Sequence, residues 1–279
     1  MVMKLPMPAF DSVQLVKDVV DERAGGVNAT FFNNIKDEWC ERVQEYIDNA
    51  GTPPTVGTWP AIQTKKKSFL NLYLSPAPGS VQSPILKSMR KHDLTVCPAC
   101  GELGRPNTLD HYLPKGKYPH FCITPVNLFP MCDACQDAKD TKVGNAQSPR
   151  FFVHPYFDTF VGQQVLHLEI HPPFDAPSFT LGASPDLNAD HAALIRTHVR
   201  ELEIETRYAS FFRNQYRRLL RLVGAMRTSG QNVEQTLATF KQGVADPSLN
   251  TWEHVFYAAV LGNPDHLDYL ANEPLPQYL

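Results

Sequence analysis

Two cysteine pairs and one Asp-His pair are the residues whose types and spacing could do chemistry in this chain of 279 residues. Cys97 pairs with Cys100 and Cys132 pairs with Cys135, each as C-x-x-C. Four thiolates are the usual ligand set of a closed, tetrahedral structural zinc site. We expect no secretory signal in the N-terminal sequence MVMKLPMPAF, so a metal explains the pairs better than disulfides do. The alternative is a set of buried free thiols.

Five features lie in a fixed order within and after this framework. Asp110 and His111 come first, Asn127 precedes the second cysteine pair, and Gln136 and Lys139 follow it. This order resembles the zinc-stapled form of the HNH, or ββα-metal, nuclease motif. That motif has Asp-His on a first strand, Asn-Leu before the second pair, and C-x-x-C-Asn-x-x-Lys leading into a helix. The resemblance covers roughly residues 95–145.

The resemblance implies a role for each residue in phosphodiester hydrolysis, which needs an activated water and a cation on the phosphate. His111 would be the general base, because a neutral imidazole can accept a proton near pH 7. Asp110 would ligate a catalytic Mg²⁺ or Mn²⁺ through a hard carboxylate oxygen. Asn127 would orient the His111 ring by a hydrogen bond. The zinc would be structural and separate from the catalytic cation.

Several of these positions have a second interpretation. The family usually carries Asn or His where Gln136 stands, and a longer Gln side chain is a less preorganised metal ligand; Asp137 is adjacent and could substitute. Asn127 could be a plain turn residue, and Lys139 could contact a phosphate or simply be solvated. Neighbouring strand residues face opposite sides, so Asp110 and His111 must lie at a bend to serve one site.

The charge distribution favours a polyanionic partner for the central segment. Residues 62–150 carry 12 basic and 6 acidic residues, whereas both flanking segments are net acidic and the whole chain has a net charge of −3. Arg213, Arg217 and Arg221 recur every four residues and share one helix face, which predicts a ridge that contacts phosphates. Alternatively, this face is solvated and pairs with acidic neighbours. No base-reading motif is present, so nothing predicts sequence-specific cutting.

The remaining elements predict an α+β fold that is mostly helical. Apolar periodicity indicates helices over residues 10–23, 31–49, 187–227 with a break near Ser210, 231–244 and 249–262. VLHLEIH at 165–171 and SFTL at 178–181 predict a short β-hairpin. We divide the chain into an N-terminal helical region (1–94), a ββα-metal module (95–160), a hairpin connection (161–185) and a C-terminal helical domain (186–279).

The function that the resemblance implies is a metal-dependent HNH endonuclease that hydrolyses DNA, with RNA as an alternative substrate. Stand-alone proteins of this shape resemble bacterial anti-phage effectors, which work beside a partner ATPase or another sensor. A second hypothesis is a zinc-stabilised nucleic-acid or protein binding module with a decayed nuclease site, and Gln136 is its main support. With no run of about 18 apolar residues, we expect no membrane span and a cytoplasmic location.

Overall fold

The computed structural model describes residues 2–276, which form an α+β structure rich in helices. Within this range the α-helices are α1 (Ser12–Glu22), α2 (Ala29–Asp48), α3 (Pro53–Val56), α4 (Lys66–Leu74), α5 (Gln82–Arg90), α6 (Asp133–Lys139), α7 (Ala189–Glu201), α8 (Ile204–Thr228), α9 (Val233–Gly243), α10 (Trp252–Leu261) and α11 (Pro264–Asn272). The strands are β1 (Thr108–His111), β2 (Leu128–Met131), β3 (Leu166–His171) and β4 (Ser178–Ala183). None of the described helices combines the length and the apolar character needed to cross a membrane.

Most of the predicted elements are confirmed, and the main difference concerns the long C-terminal helix. Its break lies between α7 and α8, at Glu203 with a left-handed φ of 53°, and not at Ser210. Leu202 and Ile204 are both fully buried. Two residues that are two apart cannot share one helix face, because such residues differ by about 200° around the axis. The chain therefore interrupts the helix between them.

The described residues group into two compact units, each with its own core. One unit comprises residues 4–99 and 104–158, and the other comprises residues 2–3, 100–103 and 159–276. The first unit thus joins the N-terminal helices with most of the segment that carries the Asp-His pair. The division of the chain into four regions stays a prediction.

The first unit holds a two-stranded antiparallel sheet followed directly by a helix. β1 pairs with β2 so that Asp110 lies opposite Phe129 and His111 lies opposite Leu128. Helix α6 begins one residue after Cys132, which occupies its N-cap position. The hydroxyl of Tyr73 on α4 donates to the Leu109 carbonyl at 2.5 Å, which fastens α4 to β1.

The core of this unit is aromatic and comes largely from the N-terminal helices. Trp39 on α2 and Phe69 on α4 are fully buried, with ring centroids 4.9 Å apart. The Trp39 indole N–H donates to the His120 carbonyl at 2.8 Å, which ties this core to the loop between β1 and β2. That loop region is too short to bury a core alone. The N-terminal helices therefore supply the apolar surface that it lacks.

The second unit is a β-hairpin with helices α7 to α11. β3 and β4 pair from Leu166 opposite Ala183 to His171 opposite Ser178, as the alternating pattern predicts. The buried Asn250 side chain accepts from the backbone N–H groups of Val165 and Leu166 at 2.6 and 3.1 Å. One amide side chain thus closes the start of the hairpin, where the backbone donors would otherwise be unsatisfied.

Candidate active site and metal centre

The four cysteines of the two C-x-x-C pairs come together. The Sγ atoms of Cys97, Cys100, Cys132 and Cys135 all lie within 4.8 Å of one another, and none of them is in a disulfide. A tetrahedral zinc with bonds of about 2.3 Å separates its sulfur ligands by about 3.8 Å, so the cluster is close to this geometry. The Cys132 backbone N–H donates to Cys97 Sγ at 3.4 Å, a contact that stabilises a thiolate. The donor set fits a structural zinc ion.

An arginine from α8 adds positive charge to this cysteine cluster. The Arg207 guanidinium lies 3.7 Å from Cys100 Sγ and 2.8 Å from a carboxylate oxygen of Glu102. Four thiolates around one Zn²⁺ would leave two negative charges, and a nearby guanidinium, which also pairs with Glu102, offsets part of them. Arg207 belongs to a helix rich in arginines, and nothing in its sequence position distinguishes it from the exposed members.

Asp110 and His111 line one cavity, although they are consecutive residues of a strand. The cavity has a volume of about 560 Å³, and its walls include Lys66, Asp110, His111, Lys115, Gln136 and Asp137. His111 is the last residue of β1, so the strict alternation of the pleat ends there. The predicted bend is therefore the end of the strand itself.

The His111 ring is buried, neutral and anchored on one side. Its Nε2 lies 2.9 Å from the Cys122 carbonyl oxygen, which can only accept, so Nε2 carries the proton. Nδ1 then holds the lone pair and has no hydrogen-bond partner among the described protein groups. Burial lowers the pKa of His111 to about 3. The site thus contains a fixed, neutral imidazole whose lone pair is on a buried Nδ1.

Asp110 is held as a carboxylate by two neighbours on α6. Burial alone would favour the neutral acid, but the Lys139 ammonium, 3.0 Å from Oδ2, keeps the pKa of Asp110 below its usual value. The Gln136 side-chain amide donates to Oδ1 at 3.3 Å. Both interactions orient the carboxylate, and Gln136 and Asp137 line the same cavity. Asp110, Gln136 and Asp137 thus bring side-chain oxygen atoms to one cavity, together with Asp140, and their binding of a divalent cation stays a prediction.

Lys139 is buried, so neither a phosphate contact nor a solvated position describes it. Only 1% of its side chain is exposed, and its ammonium also donates to the His111 carbonyl at 2.6 Å. Sequence reasoning treated Lys139 as a surface residue because lysine is almost never fully buried unless it is paired. Its partners, a carboxylate and a carbonyl of β1, become visible only once α6 packs against that strand.

The expectation that Asn127 orients the His111 ring is wrong, because the Cys122 carbonyl makes that hydrogen bond. The fully buried Asn127 side chain accepts from the Leu113 backbone N–H at 2.7 Å and donates to the carbonyls of Leu113 and Phe121. Asn127 therefore shapes the loop that follows β1. This role is closer to the alternative interpretation of Asn127 as a turn residue. Its side chain bonds to two separate places in the loop, Leu113 and Phe121.

A buried hydrogen-bond chain supports Asn127 from behind. The Tyr46 hydroxyl on α2 donates to Asn127 Oδ1 at 3.0 Å and lies 3.0 Å from His154 Nε2. His154 Nδ1 accepts from the Tyr156 N–H at 3.2 Å, so its Nε2 carries the proton and donates to Tyr46. No spacing in the sequence connects α2 with the Asp-His segment, and only the packed structure reveals this support.

The predicted arginine ridge forms an exposed face of α8 in the second unit. Arg213, Arg217 and Arg221 are all solvent-exposed, and Arg213 donates to the Ser210 hydroxyl on its own helix. They belong to a different unit from Asp110 and His111. None of the three lines the cavity, and their phosphate contacts stay a prediction.

Comparisons with known proteins give one short similarity. Over 62 residues the chain is 37% identical to "Protein ea31" of Escherichia phage lambda. The matched residues make up 22% of this chain and 21% of that protein. The chain thus matches about a fifth of the length of this curated relative. No protein-family model matches the sequence, and no solved structure matches it.

Proposed function

We propose that this protein is a metal-dependent endonuclease of the HNH type that hydrolyses phosphodiester bonds in DNA. One observation carries the proposal: the buried, neutral His111 is anchored through Nε2 and has an unpartnered Nδ1, and it lines one cavity with the Asp110 carboxylate. A buried polar atom without a partner is costly, and such atoms are common at functional sites. His120 also has ring nitrogens without hydrogen-bond partners among the described residues, but it does not line the cavity, so the place of His111 beside a carboxylate is what supports a chemical role.

In this mechanism the residues of the chain prepare a water for attack on phosphorus. His111 Nδ1 accepts a proton from the water, while the Cys122 carbonyl keeps the ring in the required tautomer. Asp110, with Gln136 or Asp137, would hold a Mg²⁺ or Mn²⁺ ion, because these are hard oxygen donors on one cavity wall. When bound, such an ion neutralises charge on the phosphate. Lys139 keeps Asp110 ionised before the metal arrives.

The zinc, in this proposal, has a structural role only. The cysteine cluster uses four sulfur ligands, which leaves no open position for a substrate or a water. It joins the segment before β1 to the start of α6, and β1 and α6 carry the cavity residues. We further propose that the protein is a cytoplasmic effector of anti-phage defence that acts beside a partner ATPase or sensor. RNA is the alternative substrate, because the residues of the motif do not read the sugar.

Plasmid cleavage with Mg²⁺ or Mn²⁺ tests the proposal, with wild type and His111→Ala compared at equal zinc content. Loss of a general base lowers the rate by about 10²–10⁴-fold, so we expect nicking by the wild type and almost none by the variant. Lys117→Gln, an exposed change near the cavity, serves as the matched control and should cut normally. Equal cleavage by wild type and His111→Ala would exclude His111 as the base.

A second candidate function is a zinc-stabilised binding module with a decayed site. The specific observation in its favour is that Gln136 presents its amide N–H group, not its oxygen, to Asp110. Titration of Mn²⁺ into the wild type and into Asp110→Asn, followed by calorimetry, separates the two functions. An active site binds the ion with a dependence on Asp110, whereas a decayed site gives no heat in either protein.

A further inference from the structure

Two lysines outside the predicted site face the same cavity as Asp110 and His111. Lys66 and Lys115 both line it, and both are half-buried. Across residues 2–276, neither ammonium has a hydrogen bond or an ion pair with a protein group. Half-buried ammonium groups that have no paired carboxylate can form charge-assisted hydrogen bonds with an anionic ligand that enters the cavity.

Helix α4 fixes the position of Lys66 relative to the histidine. Lys66, Leu70 and Tyr73 follow one another at i, i+4 and i+7, so they share one face of α4. Lys66 and Leu70 line the cavity, and the Tyr73 ring packs against the His111 ring with centroids 4.4 Å apart. The Tyr73 hydroxyl bonds to the Leu109 carbonyl of β1. The lysine thus stands on a helix that is fastened directly to the strand of the candidate base.

Lys115 reaches the same aromatic ring from the loop after β1. Its Nζ lies 5.7 Å from the Tyr73 ring centroid, and the Arg90 guanidinium lies 5.1 Å from that centroid. Cations near an aromatic face are attracted by its quadrupole and keep a preferred orientation. Lys115 therefore has an aromatic neighbour that orients its ammonium beside the cavity, while Asp110, Asp137 and Asp140 supply the negative charge of the cavity.

We propose that Lys66 and Lys115 bind the backbone phosphates that flank the cleaved phosphodiester. This inference rests on the proposed function and adds the residues that grip the substrate. A chain of phosphates is the ligand that suits both kinds of charge. The carboxylates would hold a divalent ion, which would neutralise the cleaved phosphate, and the lysines would pair with the neighbouring phosphates. A neutral ligand would desolvate two ammonium groups without pairing them, which costs free energy. Lys66 thereby gives α4, outside the HNH-like segment, a part in substrate binding.

Binding is measured on the inactive His111→Ala protein, so that cleavage does not interfere. The probe is a short fluorescein-labelled DNA duplex, followed by anisotropy over a range of salt concentrations. Lys66→Gln plus Lys115→Gln should weaken binding by about tenfold or more and reduce the log–log salt slope by about 2, one for each lost phosphate contact. The matched control is Lys67→Gln plus Lys117→Gln, which removes the same charge from exposed neighbours outside the cavity lining.

Three outcomes would overturn the inference: an affinity and slope unchanged by the cavity pair, equal losses in the control pair, or no DNA binding by the His111→Ala protein. In the otherwise wild-type protein the cavity pair should raise KM more than it lowers kcat. If the wild type cleaves DNA and the Lys66→Gln plus Lys115→Gln change leaves DNA binding unaltered, only this inference is rejected and the proposed function stands. Lysine-dependent binding without any metal-dependent cleavage would reject the nuclease and leave the lysine site standing.

Discussion

Two regions of the molecule differ in how deeply their charged side chains are buried. The cavity region consists of β1, β2 and α6 with the cysteine cluster, and the arginine face consists of Arg213, Arg217 and Arg221 on α8. Both regions are rich in charged or metal-binding side chains, and sequence spacing pointed to both. In the cavity region Lys139 and Asp110 are buried and pair with each other, although Asp133 and Asp137 of α6 are exposed. On the arginine face the guanidinium groups are exposed. Burial with defined partners, more than charge itself, is therefore what distinguishes a prepared site from a solvated surface.

Removal of zinc should produce the largest difference between the two regions. Apparent zinc binding in cysteine-ligated peptides is worth about 10–16 kcal/mol, which rivals the total stability of a domain. We expect Cys132→Ser to lose the bound zinc and to unfold the cavity region. Metal analysis and near-ultraviolet circular dichroism measure these effects. A Cys132→Ser protein with an unchanged spectrum would show that the cysteines are not a staple, and Arg217→Ser is the control without effect.

Loss of the Lys139 ammonium should be the next largest effect. Lys139→Met leaves the buried Asp110 carboxylate without its partner, which costs about 3–5 kcal/mol of unfolding free energy. The same change on the arginine face, Arg217→Met, should alter stability by less than about 0.5 kcal/mol, as for other surface substitutions. Urea denaturation of both variants makes the comparison. Equal midpoints would mean that the buried ion pair contributes nothing distinctive.

Acid should destabilise the first unit through its buried histidines. His120 is fully buried against Phe121, neither ring nitrogen has a protein partner in the described chain, and burial lowers its pKa to about 3. Since the unfolded pKa is about 6.5, the unfolded state takes up the proton first as the pH falls. The free energy of unfolding should therefore fall by about 1.4 kcal/mol per pH unit for this group between pH 6.5 and 3.

His120→Leu isolates this contribution. The free energy of unfolding of the variant, relative to wild type, should improve as the pH is lowered from 6.5, because the substituted residue takes up no proton in either state. Denaturant unfolding at pH 7.5, 6 and 5 measures the difference. A difference that is independent of pH would contradict the assignment of His120 as a buried neutral group.

Substitutions on the arginine face should have the smallest effect on the free energy of unfolding. Their effect on DNA binding decides whether the face contacts phosphates or is only solvated. Each of the changes Arg213→Gln, Arg217→Gln and Arg221→Gln should cost less than about 0.5 kcal/mol. If the face contacts phosphates, the triple variant should reduce the salt slope of DNA binding by about one unit per arginine. If the face is only solvated, the slope should match that of the wild type.

Much of the fold followed from local pattern. Apolar periodicity over residues 10–23 predicted α1, and the alternation in VLHLEIH predicted β3, because both signals depend only on residue period. The break at Glu203 was misplaced because it depends on two buried residues, Leu202 and Ile204, that the sequence does not mark as buried. A turn between helices is decided by which faces pack, and packing is not local.

The candidate site divides in the same way. The sequence by itself predicted the cluster of four cysteines, which the structure confirms, because metal ligation demands particular residue types at short spacings. It also singled out Asp110 and His111, whose catalytic roles stay a proposal. Only the tertiary structure decided that the Cys122 carbonyl anchors His111, that Lys139 is buried against Asp110, and that Lys66 shares their cavity. These are contacts between a backbone group, a helix and a distant segment. They arise from packing between elements far apart in the chain, which no spacing rule records.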